Sequence, residues 1–269
     1  MKIWKNTSTL DGFDHGLEFT EIMTDADIVL MGSKFIEINQ FPQLKGIFRA
    51  GVGQDNVPEK EAQDEGIIVR FPSDQTINII FDETASFTCS LIFRMLYNDV
   101  GTINSWMKAP RQQMSVKNLL VIGMGNIGSR VAKLMRPFIK VSTFDVLQNE
   151  ISELKPIIQQ TDCISIHIPK SDDNISFFDR EKLSWMKDNS TLVNAARGAI
   201  VDEDALYNEI SNGRIKAAFD VYWHEPYNGK LKEFYPDRFF MTPHVASTCT
   251  GFLEGCREGL DALIQDLSK

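Results

Sequence analysis

Three glycines, Gly123, Gly125 and Gly128, and the carboxylate of Asp145 are the residues of this chain whose types and spacing specify chemistry most directly. In Gly123-Met-Gly-Asn-Ile-Gly128 the glycines allow a tight turn, close approach of a pyrophosphate and close helix–sheet packing. An apolar run, Leu119 to Gly123, precedes Met124, and a helical pattern, Asn126 to Lys140, follows. The unpaired N–H groups and positive dipole end of that helix then suit phosphates, which would rest on Asn126 and Ile127. Asp145 ends the next apolar run, where a carboxylate accepts hydrogen bonds from the adenosine ribose and repels a 2′-phosphate. The pattern calls for NAD rather than NADP.

Two further positions suit carbonyl and carboxylate chemistry. Arg197 follows the apolar run Thr191 to Ala195, at the strand end where α/β sheets bind ligands. Its guanidinium fork can hold a carboxylate and polarise the neighbouring carbonyl, although a lone arginine there also serves as a surface cap. His244 is one of four histidines, with His15, His167 and His224, and ends a short apolar strand after Thr242 and Pro243. An imidazole at such an edge can pass a proton to or from a substrate oxygen.

These groups need a scaffold. Short apolar runs, Asp27 to Met31, Gly46 to Ala50 and Gly66 to Arg70, read as buried strands, with a helical stretch, Pro58 to Glu65, between the last two. Ile79 to Leu96 reads as a longer helix, and the polar stretch Asn98 to Asn118 as a link. A second series follows, with strands at Val141 to Asp145, Asp162 to Ile168, Thr191 to Ala195, Lys216 to Asp220 and Phe239 to Thr242. Helices fall at Asp179 to Met186, at Asp202 to Asn212 closed by Gly213, and at Thr250 to Leu267. The expectation is α/β architecture with two doubly wound parallel-sheet domains, a Rossmann-type NAD domain and a smaller flavodoxin-like domain.

A formal charge of −9 argues against a nucleic-acid partner, which needs a basic surface. Cys89, Cys163, Cys249 and Cys256 form no CxxC pair and no metal spacing, so reduced thiols in a cytoplasmic protein and no metal are expected. Met1 to Asp11 is polar without an apolar signal core, and no apolar run approaches a membrane span.

Four blocks in order, Arg49 to Asn56, Asn194 to Asp202, Ala218 to Pro226 and Thr242 to Ser247, together with the glycine loop, resemble the D-isomer-specific 2-hydroxyacid dehydrogenases. The resemblance runs from about Asp27 to the end. It implies that Arg197 anchors the acid, that His244 transfers the proton and that Glu225 orients and supports His244. His224, beside Glu225, is expected to be a surface residue. Val52 and Gly53 would cradle the substrate carboxylate and Ser33 would face the substrate. His167, Pro169, Ala195, Ala196, Asp220 and Ser247 would contact the cofactor, Asp220 at the nicotinamide carboxamide.

The implied domains are 1–96 with about 250–269 for substrate and 97–249 for dinucleotide. The implied activity interconverts a small 2-oxo acid and its D-2-hydroxy acid, in a homodimer with no nucleic-acid or membrane partner. The alternative is an NAD(H)-sensing interaction protein of the same fold. Against the family pattern, the first domain is short before Asp27, and the segment Trp106 to Ser115 used for dimer contacts is abbreviated.

Overall fold

The computed structural model describes residues 1–269. The chain divides into two units, Met1–Glu83 with Ser247–Lys269, and Thr84–Ala246. The first division lies between Glu83 and Thr84, inside helix Asp74–Leu96, and not at its end as expected from sequence. The reason is burial. Ile80 packs into the first unit's core, whereas Ala85, Leu91, Ile92 and Met95 pack with Leu119, Val121 and Val193 of the second.

In the first unit five strands, β1 (Lys2–Lys5), β2 (Glu18–Phe19), β3 (Ile28–Met31), β4 (Gly46–Arg49) and β5 (Ile68–Arg70), pair in parallel in the order β2-β1-β3-β4-β5. That is the flavodoxin-like order. Every residue of β3 and β4 is buried, as befits central strands covered on both faces. Ile28, Leu30 and Phe48 turn towards Leu260 and Leu263 of the C-terminal helix, Thr250–Leu267. Val29, Met31 and Ile47 turn the other way, towards Ala62 of helix α1 (Glu59–Asp64) and towards Ile36, Ile38 and Phe41. Strands β1 and β2 were not expected from sequence. Their one fully buried side chain, Ile3, stands between two lysines and a tryptophan, and so shows no periodicity on its own.

Helix α2 (Asp74–Leu96) leads into the second unit. The stretch expected as a polar link carries a two-stranded antiparallel hairpin, β6 (Gly101–Thr102) with β7 (Met107–Lys108). Six parallel strands follow: β8 (Asn118–Ile122), β9 (Lys140–Phe144), β10 (Cys163–Ile166), β11 (Thr191–Asn194), β12 (Lys216–Phe219) and β13 (Phe239–Met241). Their order is β9-β8-β10-β11-β12-β13. The usual dinucleotide-binding sheet has a further strand beyond the second one. Here the chain between β9 and β10 runs through a turn at Ile151–Glu153 and a short helix, α4 (Leu154–Ile158), and makes none.

Leu120 and Ile122 face a core shared with α4, α5 (Arg180–Ser184) and α6 (Glu203–Ser211). Leu119 and Val121 face α2 and α3 (Asn126–Met135). Each fully buried aliphatic side chain contributes about 1.5–3 kcal/mol, so this two-faced burial dominates over any strand propensity. Helix α7, the C-terminal Thr250–Leu267, belongs to the first unit. No helix is long and apolar enough to cross a membrane.

Candidate active site

In the second unit the chain reverses direction across the sheet between β8 and β10, the switch point where α/β sheets take ligands. Gly123 leaves β8 with φ of 89°, and a Cβ there would lie 2.6 Å from the His167 carbonyl oxygen at the end of β10. A Cβ on Gly128 would lie 1.9 Å from the Gly123 oxygen, so this glycine serves packing. At Gly125 nothing stands within 4 Å, leaving open space over the start of α3. That helix begins with no side-chain cap and no acidic residue in its first turn. Met124 N–H donates to Asp145 Oδ2 (2.7 Å) and Leu147 N–H to Oδ1 (3.0 Å), which fixes the carboxylate beside the glycine loop. Uncapped N–H groups, open approach and an adjacent carboxylate together fit a dinucleotide.

His167 is half-buried, and its Nε2 lies 2.8 Å from the Ser165 hydroxyl. Burial lowers its pKa to about 4, so the ring is neutral at physiological pH and unsuited to donating a proton. Pro169 beyond it is exposed, while Ala195 and Ala196 at the end of β11 are half-buried.

The loop after β11 is shaped by a residue that sequence reasoning passed over. Asn194, fully buried, donates from Nδ2 to the Arg197 carbonyl (2.9 Å) and accepts from Ala196 N–H (3.0 Å). The Arg197 guanidinium donates from Nη1 to the Ala196 carbonyl (2.8 Å). Next to it, a Cβ on Gly198 would lie 2.1 Å from the Tyr222 carbonyl carbon. The Arg197 and Glu225 segments can therefore approach closely only because position 198 has no side chain.

Glu225 accepts from Tyr222 N–H through Oε1 (3.1 Å), and its Oε2 lies 2.8 Å from His244 Nδ1. Burial opposes ionisation of Glu225, but the His244 hydrogen bond and charge, the Tyr222 N–H and the Arg197 charge outweigh it and hold its pKa below the ordinary value. His224 is exposed, its neighbour Glu225 half-buried, as expected for adjacent loop residues pointing apart. Tyr222 belongs to the second unit's core, and Trp223 packs against it. Tyr222 stacks on Tyr227 at 5.0 Å, and Trp223 stacks on Phe219 at 5.7 Å with its indole N–H on the Val201 carbonyl.

His244 adopts φ of 54°, a left-handed conformation that costs a residue with a side chain about 1–2 kcal/mol. What holds it is Asp220. This fully buried carboxylate accepts from Thr242 Oγ1 (2.6 Å) and Val245 N–H (2.9 Å) on Oδ1, and from Ala246 N–H (2.9 Å) on Oδ2. Hydrogen bonds to a charged group contribute about 1.5–3 kcal/mol each, so three of them exceed the strain. Burial raises the Asp220 pKa, opposed by these same three bonds and by the His244 charge. The expected cofactor residue is thus bonded to both sides of the His244 turn. Ser247, half-buried, opens the second segment of the first unit.

In the first unit the loop after β4 turns at Gly51, with φ of 146°. Arg49, buried, donates from Nη1 to the Ala50 carbonyl (2.6 Å) and from Nε to the Gly53 carbonyl (3.1 Å). Val52 and Gly53 N–H find no acceptor in the chain, and Ser33 is exposed on the loop after β3. No group of three or more His, Cys, Asp or Glu could hold a metal ion. Cys89, Cys163 and Cys256 are buried, which pushes their thiols up, to about 11 for Cys89, and makes them poor nucleophiles.

Gly198→Ala should displace the Arg197 loop, and a misplacement of about 1 Å can cost about a hundredfold in rate. Steady-state kinetics should show that loss with the protein still folded by circular dichroism, and near-normal kcat/KM would contradict it. Because the native pKa of Glu225 is lowered, its ionisation stabilises the folded state above the ordinary value of 4.5, and that stability is lost as pH falls through the lower native value. In urea titrations the advantage of wild type over Glu225→Gln should therefore shrink as pH is taken below 4.5. An advantage that grows there would contradict the assignment.

Residues 96–246 match the family model described as D-isomer specific 2-hydroxyacid dehydrogenase, NAD binding domain. The hydroxypyruvate reductase of Thermotoga maritima is 29% identical over 86% of this chain and 81% of its own length. A D-3-phosphoglycerate dehydrogenase of Synechocystis is 30% identical over 86% of this chain, but the chain spans only 45% of that protein. The crystal structure of D-lactate dehydrogenase from Aquifex aeolicus complexed with NAD and lactic acid superposes with a TM-score of 0.79 at 22% identity. It covers 100% of this chain and 95% of its own, and shares the fold. With the glycine loop, the Asp145 carboxylate and the matched domain in place, the chain belongs to the D-isomer-specific 2-hydroxyacid dehydrogenases, which are NAD-dependent oxidoreductases.

Proposed function

We propose that this chain interconverts a small 2-oxo acid and its D-2-hydroxy acid, with Arg197 anchoring the carboxylate and His244 and Glu225 handling the proton. The observation that carries this is the 2.8 Å contact between His244 Nδ1 and Glu225 Oε2, on a carboxylate whose pKa the Arg197 charge helps to lower. With Nδ1 occupied by Glu225, Nε2 of His244 is the atom left to face a substrate oxygen. Glu225, ionised at neutral pH, then stabilises the imidazolium before the proton is given up. In reduction His244 Nε2–H protonates the oxygen developing at C2, and in oxidation the neutral ring takes the hydroxyl proton back. Arg197 binds the acid and draws charge from the carbonyl.

Bound NAD supplies the hydride carrier. We assign the pyrophosphate to Gly123, Gly125, Asn126, Ile127 and Gly128, supported by the uncapped start of α3, and the adenosine ribose to Asp145. His167, Pro169, Ala195, Ala196, Asp220 and Ser247 are assigned to the rest of the cofactor. Val52 and Gly53 are assigned to the substrate carboxylate, supported by their unpaired N–H groups, and Ser33 to the substrate. A homodimer is supported by the exposure of Ile103 (83%), Trp106 (81%) and Met107 (64%) on and beside the hairpin. A cytoplasmic setting is supported by four free cysteines.

His244→Ala should lower kcat by about 10²–10⁴-fold, the usual contribution of a positioned acid–base group. NADH affinity, read by fluorescence titration, should change by no more than a few fold. A near-normal rate in this variant would reject His244 as the proton carrier.

A further inference from the structure

Strand β9 lies at the open edge of its sheet, with no further strand beyond it. The Phe144 carbonyl turns inward and accepts from Gly123 N–H (2.9 Å), so by ladder alternation the next amide, Asp145 N–H, points outward. In a sheet with one more strand, that strand would satisfy such an amide. Asn149 does so here, accepting from Asp145 N–H through Oδ1 (3.1 Å). Its own N–H donates to the Asp145 carbonyl (2.8 Å), as does Gln148 N–H (2.9 Å). Both main-chain groups of Asp145 are thus held by one residue.

Asn149 is itself fixed from the far side. Its Nδ2 donates to Glu153 Oε2 (3.2 Å), and Glu153 Oε1 accepts from Glu150 N–H (3.3 Å). The Glu150 side chain accepts from Glu153 N–H, so the two glutamates close a reciprocal cap on the turn Ile151–Glu153. That turn runs directly into α4, whose Leu154 and Ile158 are fully buried. Hydrogen bonds therefore lead from the core of the second unit through Glu153 and Asn149 to Asp145. Leu147, whose N–H helps to aim the Asp145 carboxylate, lies on the turn that this path closes. An amide suits position 149 because it accepts from a backbone N–H and donates to a carboxylate at once.

We propose that Asn149 is a positioning residue for cofactor selection, holding the Asp145 carboxylate where it accepts from the ribose hydroxyls and repels a 2′-phosphate. This rests on the assignment of Asp145 to the adenosine ribose made above. A carboxylate released from Asn149 swings with its turn, and its hydrogen bonds to hydroxyls weaken because they depend steeply on distance and angle. The same swing takes its charge away from a 2′-phosphate, so repulsion falls as attraction does. The effect of Asn149 therefore lies in the ratio of the two cofactor affinities and not in the proton transfer at His244.

The test titrates NADH and NADPH into the protein by fluorescence, in wild type, Asn149→Ala, Asn149→Asp, Asp145→Ala and the double variant Asn149→Asp with Glu153→Gln. Wild type should bind NADH at least about tenfold more tightly than NADPH. Asn149→Ala should lower that ratio roughly tenfold, with kcat at saturating NADH within about twofold of wild type. Asn149→Asp sets two carboxylates against each other and should weaken NADH binding. The double variant exchanges donor and acceptor while keeping the bond, and should restore it. A merely structural role weakens both cofactors alike, so an unchanged ratio in Asn149→Ala overturns this inference. Failure of the double variant to recover NADH binding overturns it too. In both cases Asp145→Ala, by losing the preference, leaves the ribose assignment standing. No preference in wild type, or a preference kept in Asp145→Ala, overturns that assignment and this inference with it.

Discussion

The grip of the buried Asp220 carboxylate on the turn from Thr242 to Ala246 is the constraint on which the second unit's chemistry depends. A carboxylate at 0% exposure is expensive unless its oxygens are satisfied, and the three groups that satisfy it flank His244. Burial of the carboxylate and the geometry of the His244 turn are therefore one requirement. The charge is tolerated because the turn closes on it, and the turn holds a left-handed histidine because the charge is there. Tyr222 ties the same region from the other side, its hydroxyl within 2.8 Å of the Phe219 and Thr242 carbonyls and its N–H on Glu225. Strand β12, the Glu225 loop and the His244 turn are thus bound into one frame.

Parallel topology explains why so many assigned residues sit just past strand ends. In each unit all strands of the main sheet run the same way, so the loops carrying chemistry emerge at one edge. Gly123 follows β8, Asp145 follows β9, His167 follows β10, Ala195 to Arg197 follow β11, Asp220 follows β12 and His244 closely follows β13. In the first unit the Ser33 turn and the Val52 loop follow β3 and β4. Small residues mark the places where two such loops must touch. Gly198 against Tyr222 and Gly123 against His167 are two of them, and each would be blocked by a single methyl group.

Much of this was legible in the residues. Continuous apolar runs with both faces buried, such as Leu119 to Ile122, announce central parallel strands, and the glycine spacing before a helical pattern announces the dinucleotide turn. The contrast between exposed His224 and half-buried Glu225 follows from neighbours on an irregular segment. Other features were not legible, for physical reasons. Lys2–Lys5 is too short and too rich in lysine to show a period, and its place in the sheet is set by pairing of Ile3 with Ile28. The division inside α2 depends on which core each turn of the helix buries against, which periodicity does not report. Asn194, Asn6 and Asn56 look like ordinary loop polar residues until the carbonyls they bind are known. The strand missing beyond β9 is likewise a matter of tertiary pairing rather than composition.

The central claim is that this frame reduces a 2-oxo acid on one face to give the D-hydroxy acid. The most direct measurement follows the loss of NADH absorbance across a set of 2-oxo acids and resolves the product by chiral chromatography. The account predicts NADH-dependent turnover of at least one acid with the D-isomer as the product. A racemic or L-product, or no turnover by protein that binds NADH, would contradict it.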